Sequence, residues 1–444
     1  MIGPQYGQWW KQGAAARRAR LAILLVPLLL AVTVAFVAGP KDQRPRARLF
    51  DAVDRGDEAT VRRLLAAGAP VTGQVAGGQT LLHRALYQGR NDLALAIIDA
   101  GAEVGAVDNQ GVAPLHYAAA NGALEVVQRL IARGALADVR SERFGAPLHH
   151  AARQGDPSVA AALLDAGAAI DARDARALTP LHHAVLNDRR ALVGLLLERG
   201  AAVDLGDGRG RSALHWAALR DRPELAARLL DAGAGLVVRD DKGNTALHHA
   251  ARTGNGLVAA LLLAAGAPVD APTRHFGITP LHLAASEGDA RMARLLLASG
   301  ADGNARSRLY GTPLHWAAER GHAAVAAALI ESGASRAVRD DHGVLPHARA
   351  RQRGHAALAE LLWVAAPERG RIAGGDDAAG HGAPGTSTGC GLPGRMHRAS
   401  RIFLDSYVQG DLSAAEFRRR FSLPNSGLIE VGRCLVALYE PGHR

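Results

Sequence analysis

Hydrophobic and polar positions fall into three regimes along this 444-residue chain. Leu21 to Ala38, "LAILLVPLLLAVTVAFVA", runs without a charge; from about residue 48 to 366 short apolar groups recur at helical spacing; beyond residue 367 that periodicity fades. The middle regime is clearest in the copy that starts at Val112, "VAPLHYAAANGALEVVQRLIARGA". Pro114 suits the first position of a helix, where its missing N–H has no partner to lose. That helix passes through Ala118 and Ala119 and ends near Gly122. A second helix sets Val126, Val127, Leu130 and Ile131 at helical spacing, and Gly134 stops it. Neither is long enough to hold in water alone, so the pair must bury its apolar face against copies before and after it. Histidines mark the phase at His83, His116, His149, His182, His215, His248, His282 and His315, 33 residues apart with one step of 34. Gly-Ala pairs close the copies at Gly101, Gly134, Gly167, Gly200, Gly233, Gly266, Gly300 and Gly333. Such a period predicts a solenoid of stacked helix pairs.

The Thr-Pro-Leu-His motif at residues 179–182, 279–282 and 312–315, with the 33-residue period, resembles the ankyrin repeat. The resemblance covers about residues 48–366. It implies an all-α fold of about ten helix-turn-helix units with hairpin-like finger loops, lined on a concave face by finger tips and first helices. It also implies that the Thr and His side chains hydrogen-bond within and between repeats. The Thr position holds Ala113, Ala146 or Ser212 in some copies, and the Pro position Leu81, Ala213 or Ala246. At the ends, Phe50 stands at the histidine position, while His347 and Ala348 fall on the Leu and His positions. These outer copies are expected to act as caps, because each has a neighbour on one side only.

The recurrent histidines invite a metal or catalytic reading, reinforced by the doubled pairs His149-His150, His182-His183 and His248-His249. Geometry opposes it. Equivalent residues on stacked helices stand roughly 8–10 Å apart, whereas zinc holds its nitrogens at about 2 Å. The eight motif histidines are therefore expected to be structural. With no P-loop, dinucleotide turn or nucleophile paired to a base in the repeats, no cofactor, metal, small-molecule substrate or catalysis by the repeats is expected.

Composition adds that 48% of residues are hydrophobic but only 4% aromatic, so Leu, Val and Ala must fill the core. The formal charge of +10 resides mainly near the N-terminus: residues 1–48 hold eight basic and one acidic residue, and the middle holds 34 against 33. The bulk charge therefore gives no footprint for a nucleic-acid backbone.

What varies against the constant frame marks the candidate protein-binding surface. Just after the paired alanines come Tyr87, Arg153, Leu219, Arg220, Arg252, Glu319 and Arg320. The fingers add Arg143 with Phe144, Arg176, Arg209, Lys242, Arg274 with Phe276, and Arg308 with Tyr310. Arginine and aromatic residues are enriched at binding hot spots, which points to a partner with an acidic, partly apolar surface. The alternative is ordinary solvated positions on tight Phe-Gly or Tyr-Gly fingers.

The N-terminal run has the length of a membrane-spanning helix, roughly 27 Å against a ~30 Å hydrocarbon core. Residues 1–20 form a basic segment before it, and residues 39–47 a juxtamembrane linker. The expectation is a single-pass, bacterial-type anchor with a cytoplasmic N-terminus and an extracytoplasmic or periplasmic repeat domain. The alternatives are secretion after signal cleavage near Val37 to Gly39, or a cytoplasmic repeat domain. Residues 367–395 hold nine glycines and read as a flexible linker. Residues 396–444 carry three short amphipathic stretches and read as a small helical region. Cys390 and Cys434, the chain's two cysteines, both lie past residue 366 and are candidates for a disulfide in an oxidising compartment. A second functional reading makes this C-terminal region an enzyme or effector that the array positions.

Overall fold

The computed structural model describes residues 43–309 and 311–363. The apolar run at 21–38, Tyr310, the Gly-rich linker, the C-terminal region and both cysteines lie outside the described residues. The chain divides into two compact blocks, Met1–Leu136 and Ala137–Arg444.

In the first block the described residues form six helices: α1 Gln43–Arg55, α2 Glu58–Ala66, α3 Leu81–Tyr87, α4 Asn91–Asp99, α5 Pro114–Asn121 and α6 Leu124–Ala132. In the second they form fourteen. These are α7 Pro147–Gln154, α8 Pro157–Asp165, α9 Pro180–Leu186, α10 Arg190–Glu198, α11 Ala213–Leu219, α12 Pro223–Asp231 and α13 Ala246–Thr253. They continue with α14 Gly256–Ala264, α15 Pro280–Glu287, α16 Ala290–Ala298, α17 Pro313–Arg320, α18 Ala323–Glu331, α19 Pro346–Gln352 and α20 Ala356–Leu362. Ten pairs result, the number the period predicts. Within each block the odd-numbered helices stack on one another in one layer and the even-numbered helices in a second. Among the described residues there is no strand, only isolated bridges such as Ser141 to Gly145 and Ser307 to Gly311 at the base of fingers.

The reason lies in which side chains face the stack. The Leu before each motif histidine, from Leu82 to Leu314, and the small residues after it, such as Ala118 and Ala119 or Ala250 and Ala251, are at most 1% exposed. Alanines there let successive first helices approach closely while giving up little rotamer entropy. The even helices add Val126, Val127 and Leu130, or Leu192, Val193 and Leu196, on their inner faces. One boundary moves: α1 begins at Gln43, inside the stretch read as linker. Pro45 falls in its first turn, the one part of a helix that tolerates proline.

Candidate interaction surface

The interior frame is built on the motif histidines. All eight are at most 3% exposed. In each, Nδ1 accepts the backbone N–H of the residue three positions earlier, the N-cap of the helix, at 3.0–3.2 Å. Where that residue is Thr or Ser its hydroxyl also reaches Nδ1, as Thr312 does for His315 at 2.9 Å. Ala113 and Ala146 forgo the hydroxyl bond but keep the backbone one.

In seven of the eight the other ring nitrogen, Nε2–H, donates to a carbonyl in the following finger. His83 reaches Val112, His182 Arg211, His215 Asn244, His248 Ile278, His282 Gly311 and His315 Val344, at 2.9–3.1 Å. His149 reaches both Ala172 and Leu178. Each of these seven rings is thus held in one neutral tautomer with both nitrogens engaged, which leaves no lone pair for a metal. Burial, with lesser help from neighbouring charges, pushes His149, His215, His248 and His282 down to about 4. Among the described residues no group of His, Cys, Asp or Glu side chains is arranged to hold a metal ion.

A second constellation was not foreseen from the sequence. Fingers with an Asp-x-x-Gly or Asp-x-x-Ala turn use one carboxylate oxygen to accept the amides two and four residues on, as Asp240 does from Lys242 and Asn244 at 2.9 and 2.8 Å. Asp108, Asp174, Asp207 and Asp340 repeat this geometry. In the second block the other oxygen tethers the finger to the residue just after the motif histidine, or to its equivalent. His183 holds Asp174 and His249 holds Asp240, each at 2.9 Å, while Trp216 Nε1 holds Asp207 at 3.1 Å and Arg349 holds Asp340. The second member of two doubled histidine pairs is therefore a finger tether. The nine-residue spacing from the turn aspartate to that position was the signal available in the sequence. Burial alone would raise the Asp174 carboxyl, but His183 and the two turn amides more than offset it and hold it at about 2. The two tethering histidine rings also meet the preceding repeat's motif histidine edge-on, with centroids 5.6 Å apart for His149 and His183 and 5.5 Å for His215 and His249.

Onto this frame the candidate residues fall in two rows of the second block. Arg143, Arg176, Arg209, Lys242, Arg274 and Arg308 stand exposed at finger turns. Arg153, Arg220, Arg252 and Arg320 stand exposed at the C-terminal ends of α7, α11, α13 and α17. Three pairs of successive fingers are joined tip to tip by backbone bonds. Gly208 N–H donates to the Arg176 carbonyl, Asp241 N–H to Arg209 and Arg308 N–H to Phe276, at 2.8–3.0 Å. The approach is close enough that a Cβ on Gly243, whose φ is +80°, would lie 2.6 Å from the Arg274 nitrogen. Phe276 is 46% exposed, whereas Phe144 is half-buried with the Arg143 guanidinium 5.4 Å from its ring. Arg252 also donates to His249 Nδ1 at 3.1 Å, and Leu219 is half-buried. Glu319 departs from the expectation: its side chain is 12% exposed and its carboxylate pairs with Arg353 of the following repeat, so it links repeats. Tyr87 belongs to the first block, where its ring meets Tyr117 edge-on at 5.9 Å.

Stacked helix pairs joined by hydrogen-bonded fingers, with the variable side chains displayed at finger tips and helix ends, define a helical repeat protein. The family model described as ankyrin repeats (3 copies) matches residues 49–143, 148–240, 214–307, 261–340 and 281–366. The chain belongs to the ankyrin-repeat family. Among solved structures it is similar to the crystal structure of the ankyrin repeat domain of Bcl-3, a unique member of the IkappaB protein family. The identity is 31% over 46% of this chain and 93% of that one, with a TM-score of 0.42. No curated protein matches the chain.

Proposed function

We propose that this protein is a membrane-tethered scaffold that binds partner proteins through the finger tips and first-helix ends of its repeats. Ankyrin-repeat domains are in general protein-interaction scaffolds, and no cofactor or substrate enters this reading. One observation carries it: a frame hydrogen-bonded within and between repeats presents exposed Arg side chains at repeating places, with Phe276 exposed among them. A surface held rigid before binding has little ordering entropy left to lose. Tethering rests on the charge-free run from Leu21 to Ala38, which lies outside the described residues; among those, no helix is long and apolar enough to cross a membrane.

Two experiments test the reading. Crosslinking in native membranes followed by mass spectrometry should give discrete protein adducts that disappear when Arg153, Arg220 and Arg252 are all replaced by Glu; an unchanged adduct set rejects this surface. Fusion of alkaline phosphatase after residue 48 should give an active reporter if the repeats are exported. An inactive fusion beside an active cytoplasmic reporter sinks that orientation.

A further inference from the structure

We propose that the finger tips of the second block bind an acidic segment in polyproline II conformation, with an Asp or Glu at every third residue set against Arg176, Arg209, Lys242 and Arg274. The inference rests on the scaffold reading and specifies the partner's chemistry and register. The four cations occupy the turns of four successive fingers, and all four are exposed. Among the described residues Arg209, Lys242 and Arg274 make no ion pair, because the neighbouring Asp207 and Asp240 are committed to turn amides and to tethers. Backbone bonds join the Arg176, Arg209 and Lys242 fingers, and the Arg239 side chain ties the Lys242 finger to the Pro272 carbonyl before the Arg274 finger, so the spacing of the row is fixed before any partner arrives.

That spacing selects the partner's conformation. Stacked helices stand ~8–10 Å apart, and a polyproline II helix advances ~9 Å per three-residue turn with every third side chain on one face. A β-strand alternates with a period of two, so acids at every third residue would point to opposite faces. An α-helix meets the same spacing only about every seven residues, and needs roughly twice the length to present as many acids. Phe276, exposed beside Arg274, offers the kind of aromatic surface on which proline-rich helices pack. The same edge carries exposed acids, Glu142, Asp241 and Asp341. These oppose a nucleic-acid backbone, with a charge about every 1.7 Å, or an anionic bilayer. A peptide with widely spaced acids can straddle them.

The test uses the full-length chain in neutral-lipid nanodiscs and a fluorescent peptide of four Glu-Pro-Pro triplets, read by anisotropy. Its comparator is the isomer of identical composition with the four glutamates contiguous. The triplet peptide should bind at least about tenfold more tightly, weaken as salt is raised, and lose at least about tenfold in affinity to the R209Q/K242Q/R274Q variant. That variant must melt like the parent, which separates lost binding from lost folding. Equal affinity for the two isomers overturns the register. Preferential binding of duplex DNA or phosphatidylserine vesicles, lost in the same variant, overturns the peptide in favour of a continuous polyanion. Failure of the triplet peptide while crosslinked partners persist overturns this inference and leaves the scaffold reading standing.

Discussion

The two edges of the second block are made from the same residues, arginine and aspartate, and use them in opposite ways. Along the even helices acids meet cations one repeat away: Arg199 pairs with Asp165 at 2.7 Å, Arg190 with Glu224 and Arg222 with Asp188. Along the finger tips the turn aspartates Asp174, Asp207, Asp240 and Asp340 point inward, to backbone amides and to His183, Trp216, His249 or Arg349, while Asp241 and Asp341 stay exposed. The first edge pairs charges across repeats and the second leaves cations facing solvent. Where a carboxylate places its lone pairs thus decides whether a neighbouring arginine is structural or available.

The comparison breaks most directly at the aspartates. Asp240→Ala removes both turn bonds and leaves the buried His249 without its acceptor, and should cost about 3 kcal/mol in urea unfolding. Asp165→Ala, at a side chain 65% exposed, should change stability by less than about 0.5 kcal/mol. Equal losses would refute the distinction between the edges.

Acid should act next, on the frame that both edges share. Because burial depresses the motif histidines, the unfolded chain binds more protons than the folded one below the ordinary histidine value of 6.5. Their contribution is full above that pH and is lost progressively as pH falls from 6.5 towards 4. Asp174, held at about 2, adds its loss only below its ordinary value of 3.8. Urea midpoints measured across this range should therefore fall in two stages. A midpoint flat from neutral pH down to about pH 4 would contradict the neutral tautomers.

Within the finger edge the arm and the tip should separate. Arg211 binds Asp207 at 2.8 Å and lies 3.9 Å over the Trp216 ring, so Arg211→Gln should cost about 1–2 kcal/mol. Ala177 sits at φ +56° where the fingers of Asp207, Asp240 and Asp340 have glycine, so Ala177→Gly should stabilise by about 1 kcal/mol. Arg209→Gln, at the tip, should move the thermal midpoint least, by an amount equivalent to under about 0.5 kcal/mol. A large effect there would show a structural partner for a side chain read as available.

Most of the fold was legible because each repeat writes it again. Pro114, the alanines after His116 and Gly134 specify a helix pair by local rules, and the period forces the pairs to stack. The start of α1 at Gln43 was not legible, since "QRPRAR" carries no apolar period. The site was legible as a list of variable positions but not as a geometry. Glu319 varies like its neighbours, yet Arg353 claims it from 34 residues away.

The sequence by itself determined the period, the ten helix pairs and the structural character expected of the motif histidines, because these follow from spacing and from what short helices must bury. Only the tertiary structure decided which charges are available. An aspartate's partners, such as His249 for Asp240 or Trp216 for Asp207, are brought to it when the finger folds back on its own first helix. The cations left facing solvent are those that this closure does not reach.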